Sequence, residues 1–151
     1  MLRRFALSFL LLVSVGCREK PADVERSPEQ AARDLGAKAN AFLESAVKSL
    51  TDADQRLRKA TAAEADSAAQ KARDAVNDAQ QRLADDARSG VRKGNDNARR
   101  EIDELAAHIR SGLDRLKQEA GPAAERTRQE VADGLERLQD KLHRLKEDAT
   151  R

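Results

Sequence analysis

Cys17 is the one cysteine in the chain, and its neighbours indicate what its thiol is for. Arg3 and Arg4 make a short basic start. Phe5 to Val15 form an apolar run broken only by Ser8 and Ser14, and Gly16 sets a small residue directly before the thiol. This is the three-part layout of a secretory signal. The run falls short of the roughly 20 residues needed to span the hydrocarbon of a bilayer. A lone cysteine excludes an internal disulfide, although an extracytoplasmic compartment would permit one. The other candidates for chemistry are fewer. His108 and His143 are the only histidines, and neither has a second histidine or cysteine at metal-ligand spacing. Glu104 stands four before His108, a single carboxylate beside a single imidazole. No serine lies in a glycine-rich elbow, and no phosphate-cradling loop is present. So few large side chains would hardly build the water-excluding cleft that acid–base catalysis requires. The chain is expected to be no enzyme, with no metal, cofactor or small-molecule substrate.

The stretch Leu12-Val13-Ser14-Val15-Gly16-Cys17 resembles the lipobox of bacterial lipoproteins. In that family a diacylglycerol is joined to the cysteine, and cleavage makes it the new N-terminus. The resemblance covers residues 1–17 and implies covalent acyl chains on Cys17 as the only attached group. More than one chain gives stable anchoring, at about 0.8 kcal/mol per buried methylene. In enterobacterial lipoproteins an Asp after the cysteine favours retention in the inner membrane. Arg18 stands there instead, which implies the periplasmic face of the outer membrane. Without acylation, the same layout describes a secreted protein with a buried or stray thiol.

The charge of the chain excludes one class of partner. Its net +2 resides in Arg3 and Arg4, so beyond residue 17 the 27 acidic residues meet an equal number of bases. Acids and bases alternate, Trp and Tyr are absent, and Phe42 is the only aromatic after Cys17. Nucleic-acid binding needs clustered positive charge, and single strands usually need aromatic platforms as well. That partner class is not expected. The membrane is the partner implied by the anchor, with self-association or a helical protein partner open beside it.

Charged residues make up 37% of the chain, and alanine supplies much of the 39% hydrophobic fraction. Large aliphatic side chains after Cys17 fall below the roughly 20% that accompanies a packed core. Such composition suits either disorder or strong helices with thin packing, since Ala, Leu, Arg, Lys, Gln and Glu are the best helix formers. Balanced charge and sustained periodicity favour helices. Residues 18–27 read as a polar tether. Ser27-Pro28-Glu29-Gln30 starts a helix, with Ser27 as cap and Pro28 at the first position. Leu35, Ala39, Phe42, Ala46, Leu50, Ala53, Leu57 and Ala60 then recur at threes and fours. Thr51-Asp52-Ala53-Asp54 reads either as a new cap or as helix interior. Next come Ala68, Ala72, Val76, Ala79, Leu83 and Ala87, a stripe too small to remove much apolar area from water. Gly90, Gly94 and Asn95-Asp96-Asn97 mark a break, and Gly121-Pro122 marks another.

The strongest apolar stripe is Ile102, Leu105, Ile109, Leu113 and Leu116, continued by Val131, Leu135, Leu138, Leu142 and Leu145. These ten residues are expected to face lipid or a partner. Helices are expected at about 28–50, 52–89, 96–120 and 122–149, forming one region over 28–151. Acid-before-base pairs four apart support them: Glu44/Lys48, Asp54/Arg58, Asp78/Arg82, Asp96/Arg100, Asp133/Arg137 and Asp140/Arg144. The fold class expected is all-α, with extended amphipathic helices in a loose bundle or coiled coil and no compact globular core.

A repeat runs through the second half. Gly112-Leu113-Asp114-Arg115-Leu116 returns 22 residues later as Gly134-Leu135-Glu136-Arg137-Leu138. That spacing is about six helical turns, so each copy presents its apolar face in nearly one direction. Tandem amphipathic helices of this length, punctuated by proline, resemble the exchangeable apolipoproteins, clearest over residues 90–145. The alanine-rich middle is closer to late-embryogenesis-type repeats. The first resemblance implies coating of lipid surfaces, the second protection on drying. On the last helix, Arg128, Lys141 and Lys146 fall near the polar–apolar boundary, where long basic side chains can snorkel toward phosphate. A bundle with basic flanks produces the same pattern. The expected role is a non-catalytic, lipid-anchored helical protein of the envelope. Lipid-surface binding and a hydrophilin-like protective role are the alternatives.

Overall fold

The computed structural model describes residues 27–89 and 96–148. Cys17 and the tether before Ser27 lie outside the described residues, as do the glycines Gly90 and Gly94. Four helices make up what is described: α1 Pro28–Lys59, α2 Ala65–Ser89, α3 Asp96–Leu116 and α4 Pro122–Asp148. No strand occurs among the described residues.

Helix α1 begins as its residues dictate. Gln30 N–H donates to Ser27 Oγ at 3.2 Å, and Pro28 occupies the first turn, where its missing N–H costs nothing. The break expected near Thr51 is absent, and α1 continues to Lys59. Thr51 Oγ lies 2.9 Å from the Val47 carbonyl, one turn back in the same helix. Its hydroxyl therefore serves the helix interior rather than a new start. Leu50, Ala53 and Leu57 are all buried, so ending the helix at residue 50 would interrupt a continuous apolar seam.

The true turn lies nine residues further on. Ala60 leaves the helix in an extended conformation. Thr61 N–H and Oγ1 then donate to Glu64 Oε2 at 3.1 and 2.9 Å. This is the glutamate half of a capping box, with the acid reaching back to the backbone three residues earlier. At the other connection α3 stops at Leu116 rather than 120. The N–H groups of Gln118 and Glu119 both donate to the Arg115 carbonyl. Gly121 then adopts φ +62°, a conformation that a side chain would strain, and Pro122 opens α4.

The helices alternate in direction and pack in a ring. Helix α1 lies against α2 and α4, and α3 lies against the same two neighbours. Contacts across each seam run antiparallel. Glu44 meets Lys146, whereas Arg58, further along α1, meets Asp133 and Glu136. Arg73 meets Asp114 and Gln80 meets Asp103 between α2 and α3. Among the four seams, α2–α3 is the thinnest.

One buried apolar cluster draws on all four helices. Along α1 and its C-terminal cap the buried residues are Ala39, Leu43, Ala46, Leu50, Ala53, Leu57 and Ala60, spaced alternately by four and three, and all but Ala39 belong to this cluster. That is heptad spacing, under which a seam stays turned toward its neighbours. Leu35 and Phe42, expected on the inner stripe, are instead 46% and 49% exposed. Leu43 takes the inner place, and Phe42 lies under the Arg82 guanidinium, 5.6 Å from ring centroid to Cζ. In α2 the expected Ala87 is exposed, and Asp86 takes the last buried position. Eleven of the 24 buried apolar residues among those described are alanine, eight of them in α1 and α2 and a ninth, Ala60, in the turn between them. The large side chains are concentrated in α3 and α4.

Candidate functional site

Residues Ile102, Ile109 and Leu113 of α3 and Val131, Leu135, Leu138, Leu142 and Leu145 of α4 are buried. Leu105 and Leu116 pack partly buried against them. The stripe expected to face lipid or a partner is turned toward the other helices of the same chain. The physical reason is supply: α1 and α2 present mostly alanine, so the large side chains of α3 and α4 fill the interior. No described helix is long and apolar enough to cross a membrane.

The 22-residue repeat acquires a mechanical meaning at the α3–α4 seam. A methyl added to Gly112 would sit 2.5 Å from Val131 Cγ2, and one added to Gly134 would sit 2.8 Å from Ile109 Cγ1. Val131 is three residues before Gly134, and Ile109 is three before Gly112. Each copy thus offers a β-branched side chain and a notch, and the antiparallel helices exchange them about a local two-fold axis. The notches let the two backbones approach more closely than any other residue would allow. Arg115, just past one notch, donates to Glu130 Oε2 at 2.8 Å across the seam. Sequence reading found the repeated glycines without their purpose, because a notch is defined only by what enters it.

A belt of ion pairs surrounds the seams. Asp54–Arg58 and Asp78–Arg82 form within their helices at 2.8 and 2.7 Å, as their spacing suggests. Glu44 and Asp133 do otherwise. Glu44 pairs with Lys146 rather than Lys48, and Asp133 lies 3.3 Å from Arg58 rather than pairing with Arg137. Lys141 reaches Glu101 on α3. Arg128 Nη1 donates to the Ala60 carbonyl at 3.0 Å and lies 3.2 Å from Glu125. The basic residues placed by sequence at a lipid boundary are therefore engaged with groups of neighbouring helices or of their own.

These pairings shift ionisation. The Lys146 ammonium, through its hydrogen bond and its charge, holds the Glu44 carboxyl below the usual range, and Lys141 does the same for Glu101. Glu64 is lowered by the backbone N–H of Thr61 and then by its hydroxyl. Desolvation pulls Arg58 down, but hydrogen bonds and charge from Asp54 and Asp133 outweigh it and raise the group. Between α1 and α4, Thr51 Oγ1 also lies 3.0 Å from Gln139 Oε1. A flipped Gln139 amide would donate to the hydroxyl while the hydroxyl donates to Val47.

The imidazoles stand apart from all this. His108 on α3 and His143 on α4 are both exposed, as is Glu104. No group of three or more His, Cys, Asp and Glu suited to a metal ion occurs among the described residues. No protein-family model matches the chain, and no curated protein or solved structure matches it either.

Proposed function

We propose that this chain is a lipid-anchored helical bundle of the bacterial envelope, tethered through acyl chains on Cys17 at the periplasmic face of the outer membrane. Its role is non-catalytic, structural or protein-binding. The observation that carries this reading is Cys17 placed directly after Gly16 and the apolar run from Phe5. Residues 18–27 would then link membrane to bundle. Fully extended, ten residues reach about 35 Å. Helix α1 continues the path with 32 residues, roughly 48 Å at 1.5 Å per residue. Together they would project the α1–α2 turn well clear of the headgroups. We further propose that the bundle is loose along its thin α2–α3 seam and tight along α3–α4.

Mass spectrometry of the exported product tests the anchor. The expected mass is that of a chain beginning at Cys17 with diacylglycerol attached, and Cys17→Ser should move the protein from the membrane to the soluble fraction. An unacylated Cys17 on exported protein overturns the proposal.

The thin α2–α3 seam favours one alternative, lipid-surface binding. Parting there would expose Ile102, Ile109 and Leu113 without unwinding any helix. Added vesicles would then lengthen the distance between spin labels placed at Gln80 on α2 and Asp103 on α3, which meet across the seam, while helicity is kept; an unchanged distance counts against it.

A further inference from the structure

We infer that the end of the bundle formed by its two described turns is a binding site for a small amphipathic cation, a short alkyl chain bearing an ammonium group. The α1–α2 turn and the α3–α4 turn enclose a cavity of about 610 Å³. Small-molecule sites commonly measure about 300–1,000 Å³. Leu57, Ala60, Ala65, Ala69, Leu116 and Ala124 give it apolar walls, and the four alanines leave the space that larger side chains would fill.

Glu119 lines the same cavity, and its Oε2 is buried without a hydrogen-bond partner among the described residues. Leaving a buried acceptor unmet costs more than a typical hydrogen bond returns, and a charged acceptor costs the most. An arriving N–H donor would remove that cost. The neighbouring charges narrow the choice. Arg128 is already occupied by the Ala60 carbonyl and Glu125. Asp66 and Glu125 add two more carboxylates to the lining, against the single ammonium of Lys117, all three of them exposed. An anion would enter beside three carboxylates, and a neutral alkane would leave Glu119 unmet. An alkylammonium satisfies both the apolar walls and the orphaned oxygen. The site lies at the opposite end of α1 from Ser27 and does not depend on acylation.

The test is a titration of the full-length, isotope-labelled chain with hexylammonium chloride, followed by amide resonances. Saturable shifts confined to residues 57–69 and 116–128 are expected. Hexanoate and hexan-1-ol should bind at least tenfold more weakly. Glu119→Gln keeps an acceptor but removes the charge, and should weaken hexylammonium about tenfold, in line with the larger contribution of charged hydrogen bonds. Ala65→Leu fills the cavity and should abolish binding while leaving the melt intact. If Glu119→Gln fails to fold, the hexanoate, hexanol and Ala65→Leu arms still decide. Absence of saturable shifts, equal binding of hexan-1-ol, or an undiminished affinity in either variant overturns the inference.

Discussion

Replacing Gly112 by alanine should destabilise the bundle, although the same substitution normally stabilises a helix. Alanine is favoured over glycine within a helix by about 1 kcal/mol. At Gly36, where nothing lies within 4 Å of the new methyl, that gain should appear undiluted. At Gly112 the methyl would sit 2.5 Å from Val131 Cγ2. Val131 is only 2% exposed, and its branched side chain has one strongly preferred rotamer in a helix. It cannot turn aside, so α3 and α4 must separate. Overpacking of this kind costs about 1–3 kcal/mol. Gly36→Ala and Gly112→Ala should therefore differ by about that amount, with the first more stable and the second at or below the parent. Urea unfolding followed by circular dichroism gives both midpoints, provided the slope is unchanged. A double variant, Gly112→Ala with Val131→Ala, should lose less than the two single losses combined, because the second change removes the obstruction. If Gly112→Ala stabilises as much as Gly36→Ala, the notch does not exist and the repeat has no role in packing.

Other outcomes follow from the same packing and charges. Gly134→Ala should be milder than Gly112→Ala, since its methyl meets Ile109 Cγ1 at 2.8 Å rather than 2.5 Å and the helices need part by less. Leu138→Ala removes a fully buried side chain and should cost about 2–5 kcal/mol, whereas Leu35→Ala, at a position 46% exposed, should stay within about 0.5 kcal/mol in thermal or urea melts. Glu44, Glu64 and Glu101 have folded pKa values below their ordinary ones. Their stabilisation is thus complete above the unfolded carboxylate pKa, about 4.3, and is lost as pH falls through the folded values. An acid titration of the melt should show this loss, and Lys146→Met should reduce it by removing the partner of Glu44. A stability that rises on acidification would contradict these assignments.

The helical character of the chain was legible in its sequence, because helix propensity and three–four periodicity are local properties of neighbouring residues. So were the start at Ser27 and Pro28, the punctuation at Gly121-Pro122, and the Asp54–Arg58 and Asp78–Arg82 pairs, each of which closes within one helical turn. The turn at Thr61 to Glu64 was also encoded locally as a capping box, but Thr51 and Asp52 offered a rival start. The rivalry was decided by burial of Leu50, Ala53 and Leu57. Tertiary structure alone decided the rest. Phe42 or Leu43 could equally have taken the inner place on α1 until its neighbours imposed a heptad seam. Glu44 could have paired with Lys48 four residues away, yet Lys146 on another helix came closer. Gly112 became a notch only when Val131 arrived from the opposite helix of the hairpin, and the apolar face of α3 and α4 turned inward only because α1 and α2 closed over it. Local rules see the few residues of one turn, while these choices depend on which side chains meet across a seam after the chain has doubled back.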